Sequence, residues 1–340
     1  MKRFLVTGGA GFIGSHIVET LIKKRHFVRV LDNFSSGKHE NLSFVGTVPA
    51  DDKRLSTKGT VPKVNNFELI EGDIRDFLTC EKACRNIDFV LHQAALRSVP
   101  KSLVNPQDYN EVNIQGTLNL LKAAVKNKVK IFVFASSSSV YGDVKAFPEK
   151  EDFLPQPISP YALTKLTGEH YCRIFSHNFA LPTIALRYFN VFGPRQSLDD
   201  EYAVVIPKFI SCMLKNEPSP IYGTGRQSRD FTYVDNVVEA NLLAIQNNNF
   251  KGEVFNVANG QDYSILELTR ILNKIMHKNI KPIFLGKRPG DVFRTLADLS
   301  KAKKILGFKP TIDFIEGLKL TIKYFKKEGR FSSRSRSVPF

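Results

Sequence analysis

Tyr161 and Lys165 stand four residues apart in Ser159-Pro160-Tyr161-Ala162-Leu163-Thr164-Lys165. On a helix that spacing puts both on one face. A tyrosine, with a reference pKa near ~10, accepts a proton poorly at neutral pH. An ammonium close by stabilises the phenolate and lowers that value. Upstream, Phe132-Val133-Phe134 leads into Ala135-Ser136-Ser137-Ser138-Ser139-Val140-Tyr141-Gly142, so a serine hydroxyl at a strand end can hydrogen-bond a reacting oxygen. Together these groups suit removal of a proton from a carbinol while hydride leaves to a cofactor. Alone, Y-x-x-x-K decides nothing, because any amphipathic helix can carry it.

A second constellation supplies the cofactor. Thr7-Gly8-Gly9-Ala10-Gly11-Phe12-Ile13-Gly14 follows a strand-like run and opens a helix-like one. In that context Gly8 allows the tight turn, Gly11 lets backbone approach a pyrophosphate, and Gly14 allows close helix–strand packing. The helix N-terminus presents free N–H groups to the phosphates. Asp32-Asn33 ends the next strand, where an acid accepts from ribose hydroxyls and repels a 2′-phosphate, so the cofactor reads as NAD and not NADP. Gly72-Asp73-Ile74 and His92-Gln93-Ala94-Ala95 follow two further strands. Asp73 is placed to meet the adenine amine, and the small Ala94 and Ala95 let backbone pass close to the dinucleotide.

The elements that must position these groups alternate. Strands are expected at 4–6, 27–31, 67–71, 87–91, 131–134 and 183–187. Helices are expected at 13–24, near 76–86, over 109–127, from about Tyr161, at 263–277 and at 313–327. Such βα alternation with apolar strands implies an α/β fold: a Rossmann-type doubly wound parallel sheet, covered on both faces. Residues 46–66 mix Gly, Pro, Asp, Lys and Thr without period and read as a surface insertion. The expected division is an NAD-binding domain over 1–187, with 232–259 returning to it. A smaller substrate lobe follows, over 188–231 and 260–328, and then a basic tail, 329–340.

The 340 residues, 42% hydrophobic and 24% charged, belong to a globular chain and not to a disordered one. No apolar run reaches the ~18 residues of a membrane span, and no signal-peptide pattern precedes the first strand. The expectation is a cytoplasmic protein with no membrane partner. Cys80, Cys84, Cys172 and Cys212 lack metal-ligand spacing, so no metal site is expected and the thiols read as free. The net charge of +16 is partly held by Lys326, Lys327, Arg330, Arg334 and Arg336 near the end of the chain. No nucleic-acid motif accompanies it, so the charge is assigned to anionic small ligands.

Taken together, these motifs resemble the extended short-chain dehydrogenases/reductases and, within them, nucleotide-sugar 4-epimerases. The nearest likeness is to bacterial enzymes acting on UDP-N-acetylglucosamine or its uronic acid. The likeness runs from about residue 2 to 325 and includes Asn113, Leu186-Arg187-Tyr188-Phe189-Asn190, Arg229-Asp230-Phe231 and Arg288-Pro289-Gly290-Asp291. It implies Tyr161 as general base, Lys165 as its partner and Ser137 as the catalytic serine. It implies NAD contacts from Gly8, Gly11, Phe12, Ile13, Gly14, Asp32, Asn33, Asp73, Ile74, Ala94, Ala95, Asn113, Lys165 and Tyr188. The substrate would meet Ser137, Tyr161, Asn190, Arg229, Arg288, Asp291 and Thr295. Two guanidiniums suit a diphosphate, and Asp291 would take a uridine ribose hydroxyl. Thr295 stands where a tyrosine would exclude an N-acetyl group. Arg97 falls where relatives carry varied residues and is left out. A homodimer is implied, through two helices of the dinucleotide domain.

Four other readings compete with that one. A 4,6-dehydratase carries an Asp-Glu pair after the serine, and here Ser138 and Ser139 cannot replace those carboxylates. A UDP-glucuronate decarboxylase shares the Ser, Tyr and Lys and is the runner-up, beside a UDP-glucose 4-epimerase. A non-catalytic dinucleotide sensor of the same fold would lack the tyrosine or the lysine, and both are present.

Overall fold

The computed structural model describes residues 1–45, 66–197, 205–247, 249–287 and 292–327. The expected insertion, apart from Asn66, and the basic tail lie outside them. Six parallel strands come first: β1 (Arg3–Thr7), β2 (Phe27–Asp32), β3 (Phe67–Glu71), β4 (Phe89–His92), β5 (Ile131–Ser137) and β6 (Thr183–Tyr188). Short strands follow: β7 (Val191–Phe192), β8 (Pro220–Tyr222), β9 (Ser228–Asp230) and β10 (Thr232–Tyr233). Then β11 (Lys251–Val257) comes back beside β6. The sheet order is β11-β6-β5-β4-β1-β2-β3, so the strand order reverses between β1 and β4. Open parallel sheets bind ligands at such a reversal, beyond the carboxyl ends of the strands.

Strand alternation divides the core in two. Phe4 and Val6 of β1, with Val28 and Val30 of β2, pack on one face with Ile17, Val18 and Leu21 of α1 (Phe12–Lys23). Leu5, Leu31, Val90, Phe132 and Phe134 point to the other face. There they meet α2 (Phe77–Cys84), α5 (Gly116–Lys126) and α6 (Pro160–Asn178). Before α5 come α3 (Val99–Val104) and α4 (Pro106–Tyr109). The helix expected over 109–127 is interrupted by a π turn at Asn110–Gln115, a feature that hydrophobic spacing does not register.

Beyond β6 a third core gathers Phe192, Phe209, Phe231, Leu268, Leu272, Phe314 and Leu318. Its helices are α7 (Val205–Leu214), α9 (Ile265–Met276) and α11 (Phe314–Lys327). Two more helices, α8 (Val234–Ala244) and α10 (Ser300–Leu306), instead cover the large sheet, through Val237, Ala240 and Ala302. The pair β12 (Asp262–Ser264)–β9 is antiparallel, and β13 (Ile283–Leu285)–β8 is parallel. Two isolated bridges, Arg294 to Ser228 and Ala297 to Glu149, tie the 294–297 segment to its neighbours.

Candidate active site

A cavity of about 810 Å³ opens over the carboxyl ends of β1, β2, β4, β5 and β6. At one end lies the glycine turn. Gly8 has a φ of +66°, and a Cβ there would stand 2.8 Å from the backbone nitrogen of Ala94. A Cβ on Gly14 would stand 2.1 Å from the Gly8 carbonyl oxygen, so α1 rests directly on the turn. Gly11 is the N-cap of α1 and gives its first turn no side-chain cap. The unsatisfied N–H groups of that turn therefore face the cavity beside Phe12 and Ile13, a cradle that fits a pyrophosphate.

Asp32, buried at the end of β2, accepts from Ala10 N and Phe34 N, each at 2.9 Å. Burial raises its pKa, against the pull of those two bonds. The carboxylate thus holds the glycine turn against β2 and still lines the cavity, with lone pairs left for a ribose. Asn33 donates to Asp73 at 3.0 Å. The Asp73 carboxyl also takes Arg75 at 2.8 Å, which holds its pKa down at about 2. Ile74, Ala94 and Ala95 line the wall between. The Tyr188 phenol donates to Gln93 at 3.2 Å and accepts from Asn241 at 2.8 Å.

Asn113 stands apart from the other expected cofactor contacts. It does not line the cavity but lies buried one layer behind it. Its amide accepts from Leu96 N at 2.8 Å and donates to Leu96 O at 2.9 Å and to Thr164 Oγ1 at 3.0 Å. These bonds use the side chain to pin the loop after β4 to α6.

Ser137, Tyr161 and Lys165, the groups expected to react, stand together in mid-cavity. Ser159 caps α6 by accepting from Ala162 N at 3.2 Å, and Pro160 fills the first helical position, where its missing N–H costs nothing. Tyr161 consequently lies in the first turn, at the cavity wall. Lys165 follows one turn later, buried, with Nζ donating to the Ala135 carbonyl at 2.8 Å. Ser137 ends β5 and stands close enough to Tyr161 to pull its pKa down. It also accepts from Ser139 N at 3.2 Å.

One expectation changes here. Tyr161 is not lowered by Lys165: its pKa is raised, by burial, with Ser137 and Arg97 opposing. The ammonium sits 6.0 Å from the ring centroid and points at Ala135 instead of at the phenol oxygen. Burial also lowers Lys165, to about 8, with Glu169 opposing.

At the far end, Asn190 turns the chain out of β6 with a φ of +35°, a conformation asparagine tolerates. Its amide donates to Asp230 O at 3.1 Å and to the Thr295 hydroxyl at 2.9 Å. Arg229 lines the cavity while its guanidinium donates to the carbonyls of Val292 at 2.7 Å and Phe293 at 3.2 Å. Those bonds hold the strand-like 292–295 segment, a duty that the diphosphate-clamp expectation did not include. Arg288 and Asp291 lie outside the described residues. Sequence reasoning also passed over Arg97 and Gln196, which line the cavity. Arg97 stands in the loop after β4, and its place at a carboxyl strand end was the signal available. Gln196 carries no local signal.

Among the described residues no cluster of His, Cys, Asp and Glu could hold a metal ion, and no helix is long and apolar enough to cross a membrane. The Cys80, Cys84, Cys172 and Cys212 thiols are free and buried.

A glycine turn that fits a pyrophosphate, an acid at the second strand, and a Ser–Tyr–Lys group in one cavity define a dinucleotide-dependent enzyme of the short-chain dehydrogenase/reductase class. Residues 4–258 match the NAD dependent epimerase/dehydratase family. The chain belongs to that family; it is an isomerase of the nucleotide-sugar 4-epimerase type, and its cofactor is NAD. It is 38% identical to a putative UDP-glucose 4-epimerase of Methanocaldococcus jannaschii, over 96% of this chain and 99% of the relative. It is 33% identical to UDP-glucuronic acid decarboxylase 1 of Xenopus tropicalis, over 99% of this chain and 75% of the relative. A solved structure, UDP-N-acetylglucosamine 4-epimerase from Methanobrevibacter ruminantium M1 in complex with UDP-N-acetylmuramic acid, superposes with a TM-score of 0.87. It is 42% identical, over 96% of this chain and 99% of that one.

Proposed function

We propose that the chain interconverts the C4 epimers of a UDP-hexose: UDP-N-acetylglucosamine with UDP-N-acetylgalactosamine, or their uronic acids. The observation that carries this reading is the placement of Ser137, Tyr161 and Lys165 midway along one cavity, between the glycine turn and the Asn190–Thr295 end. NAD, when bound, supplies the two-electron acceptor and donor. Tyr161 Oη takes the proton of the C4 hydroxyl and later returns it. Ser137 hydrogen-bonds the same sugar oxygen and keeps it in reach of the phenol. Lys165, its ammonium turned to the Ala135 carbonyl at the end of β5, would hold the nicotinamide ribose beside the phenol. The sugar passes through a 4-keto stage and turns over before reduction, so the protein grips the nucleotide and leaves the sugar few fixed contacts. Arg229, with Arg288 and Asp291, would form that nucleotide grip. The small Thr295 leaves room for an N-acetyl group.

A decarboxylase reading is favoured by the Xenopus tropicalis relative and by the shared Ser, Tyr and Lys. Incubation with a panel of UDP-sugars, followed by chromatography, separates the two. Interconversion of the N-acetylated pair at least as fast as the UDP-glucose pair is the expected result. Activity confined to UDP-glucose, or a UDP-pentose formed from UDP-glucuronate, overturns it. The enzyme is further proposed to act in the cytoplasm as a homodimer, in polysaccharide biosynthesis. The exposed Leu163 and Ile174, eleven residues apart and so on one face of α6, support the dimer. Sedimentation that gives a monomer removes it.

A further inference from the structure

Tyr161, Lys165 and Glu169 follow one another at one-turn intervals along α6, and the reaction above uses only the first two. Glu169 is 5% exposed and Arg187, opposite it on β6, is 3% exposed. Glu169 Oε1 accepts from Arg187 Nε at 2.9 Å, and Oε2 accepts from Arg187 Nη2 at 2.7 Å. Oε1 also accepts from the Ser136 hydroxyl at 2.5 Å. A buried ion pair is weak evidence for stability, since apolar residues of similar volume often do as well. The position of this one gives it another use.

Ala135, Ser136 and Ser137 are the last three residues of β5, and each is tied to a different residue of α6. The Ala135 carbonyl holds Lys165, the Ser136 hydroxyl meets Glu169, and Ser137 stands beside Tyr161 and acts on its pKa. Two buried cations, Lys165 and Arg187, stand near one carboxylate. The other groups around Lys165 are not anions. From β4, His92 is held neutral, with a pKa of about 3. Tyr161 and, in the turn after β5, Tyr141 are phenols raised by burial. Tyr109 from α4 and Arg97 from the loop after β4 gather at Tyr161. Glu151 acts on Arg187 and Tyr141.

We propose that Glu169 is a positioning residue for the reaction. Its carboxylate, anchored by Arg187, is the counter-charge of the Lys165 ammonium, and its bond to Ser136 fixes the strand end that carries Ala135 and Ser137. The proposal rests on the assignment of Tyr161 and Lys165 above. Burial already works against the ammonium, and Glu169 is the group that opposes it. Without that charge Lys165 loses its proton at a lower pH, and the end of β5 beside Tyr161 loses a charged anchor.

The test is kcat against pH for the NAD-loaded wild type, Glu169→Gln, Glu169→Asp and Arg187→Gln. Trace labelling of Lys165 with acetic anhydride, read by mass spectrometry at each pH, gives its proton occupancy independently of activity. In Glu169→Gln the alkaline limb and the labelling midpoint should both move down by about one pH unit, as expected for losing one nearby opposite charge. KM for the UDP-sugar should stay unchanged. Glu169→Asp should restore both toward wild type, and Arg187→Gln, which removes the competing cation, should move both up. A Glu169→Gln protein whose midpoint stays at the wild-type value overturns the proposal. Should that variant not fold, an unmoved midpoint in Arg187→Gln does the same. Persistent turnover by Tyr161→Phe would instead sink the underlying assignment, so the two failures are told apart.

Discussion

The two ends of the cavity are built differently. The cofactor end comes from one contiguous turn and the tips of neighbouring strands. Its fit depends on backbone touching backbone, with Gly14 against the Gly8 carbonyl and Gly8 against Ala94. The sugar end is assembled from residues far apart in the chain. Asn190 reaches Asp230 and Thr295, and Arg229 reaches Val292 and Phe293. Its polar groups largely bind one another. A change at the first end therefore meets rigid backbone and fails by collision. A change at the second end loosens a hydrogen-bonded cluster and should alter which sugar is accepted before it alters the fold.

The largest effect belongs to the group between the two ends. Tyr161→Phe should lower kcat by about 10²–10⁴-fold, the usual loss for one proton-transfer group. It should leave NAD in place, which absorbance of the released cofactor will measure. Near-normal epimerisation would mean that another residue is the base.

Next comes Gly14→Ala. The new Cβ has no flexible neighbour to displace, only the Gly8 carbonyl at 2.1 Å. Loss of bound NAD is expected, with a destabilisation of about 1–3 kcal/mol or more in thermal or urea unfolding. Full NAD content in this variant would show that the turn can shift and that the contrast between the ends is overstated.

Thr295 probes the softer end. Thr295→Tyr should block the N-acetylated UDP-sugars selectively, since overfilling a fitted pocket costs about 1–3 kcal/mol. Thr295→Val keeps the volume but removes the hydroxyl that Asn190 holds at 2.9 Å. It should raise KM with kcat little changed, for a loss of about 0.5–1.5 kcal/mol. Equal losses on acetylated and plain substrates in Thr295→Tyr would remove this residue as a size filter.

The smallest effect is expected at the cofactor end's outer rim. The Arg75 side chain is 50% exposed, and its pair with Asp73 is screened by water. Arg75→Ala should change stability by less than about 1 kcal/mol and leave bound NAD near the wild-type amount. A large loss of cofactor there would extend the rigid end out to the rim.

The same contrast separates what the sequence determined from what only tertiary structure decided. Local order was legible at the cofactor end because its physics is local. A strand, a turn of glycines and a helix start lie within Phe4–Gly14, and Asp32 closes the next strand. The parallel sheet was legible for a similar reason: strands such as Phe27–Asp32 are buried on both faces and read as near-continuous apolar runs. The Tyr161–Lys165 pair was legible because helical spacing alone puts both on one face.

Elsewhere the deciding partner is distant in sequence. Asn113 carries the residue type of a ligand contact, yet Leu96 and Thr164 take its amide before any ligand can. Spacing likewise does not give the direction of the Tyr161 pKa: burial raises it, and Ala135, thirty residues upstream of Lys165, takes the ammonium. The guanidinium of Arg229 answers to carbonyls 63 and 64 residues on. The sequence supplies the donors and acceptors with their local spacing. Burial removes water as the default partner, so every buried polar group must find another within the fold. Which one it finds depends on how the remote segments pack, and at the sugar end that choice sets the chemistry of the pocket.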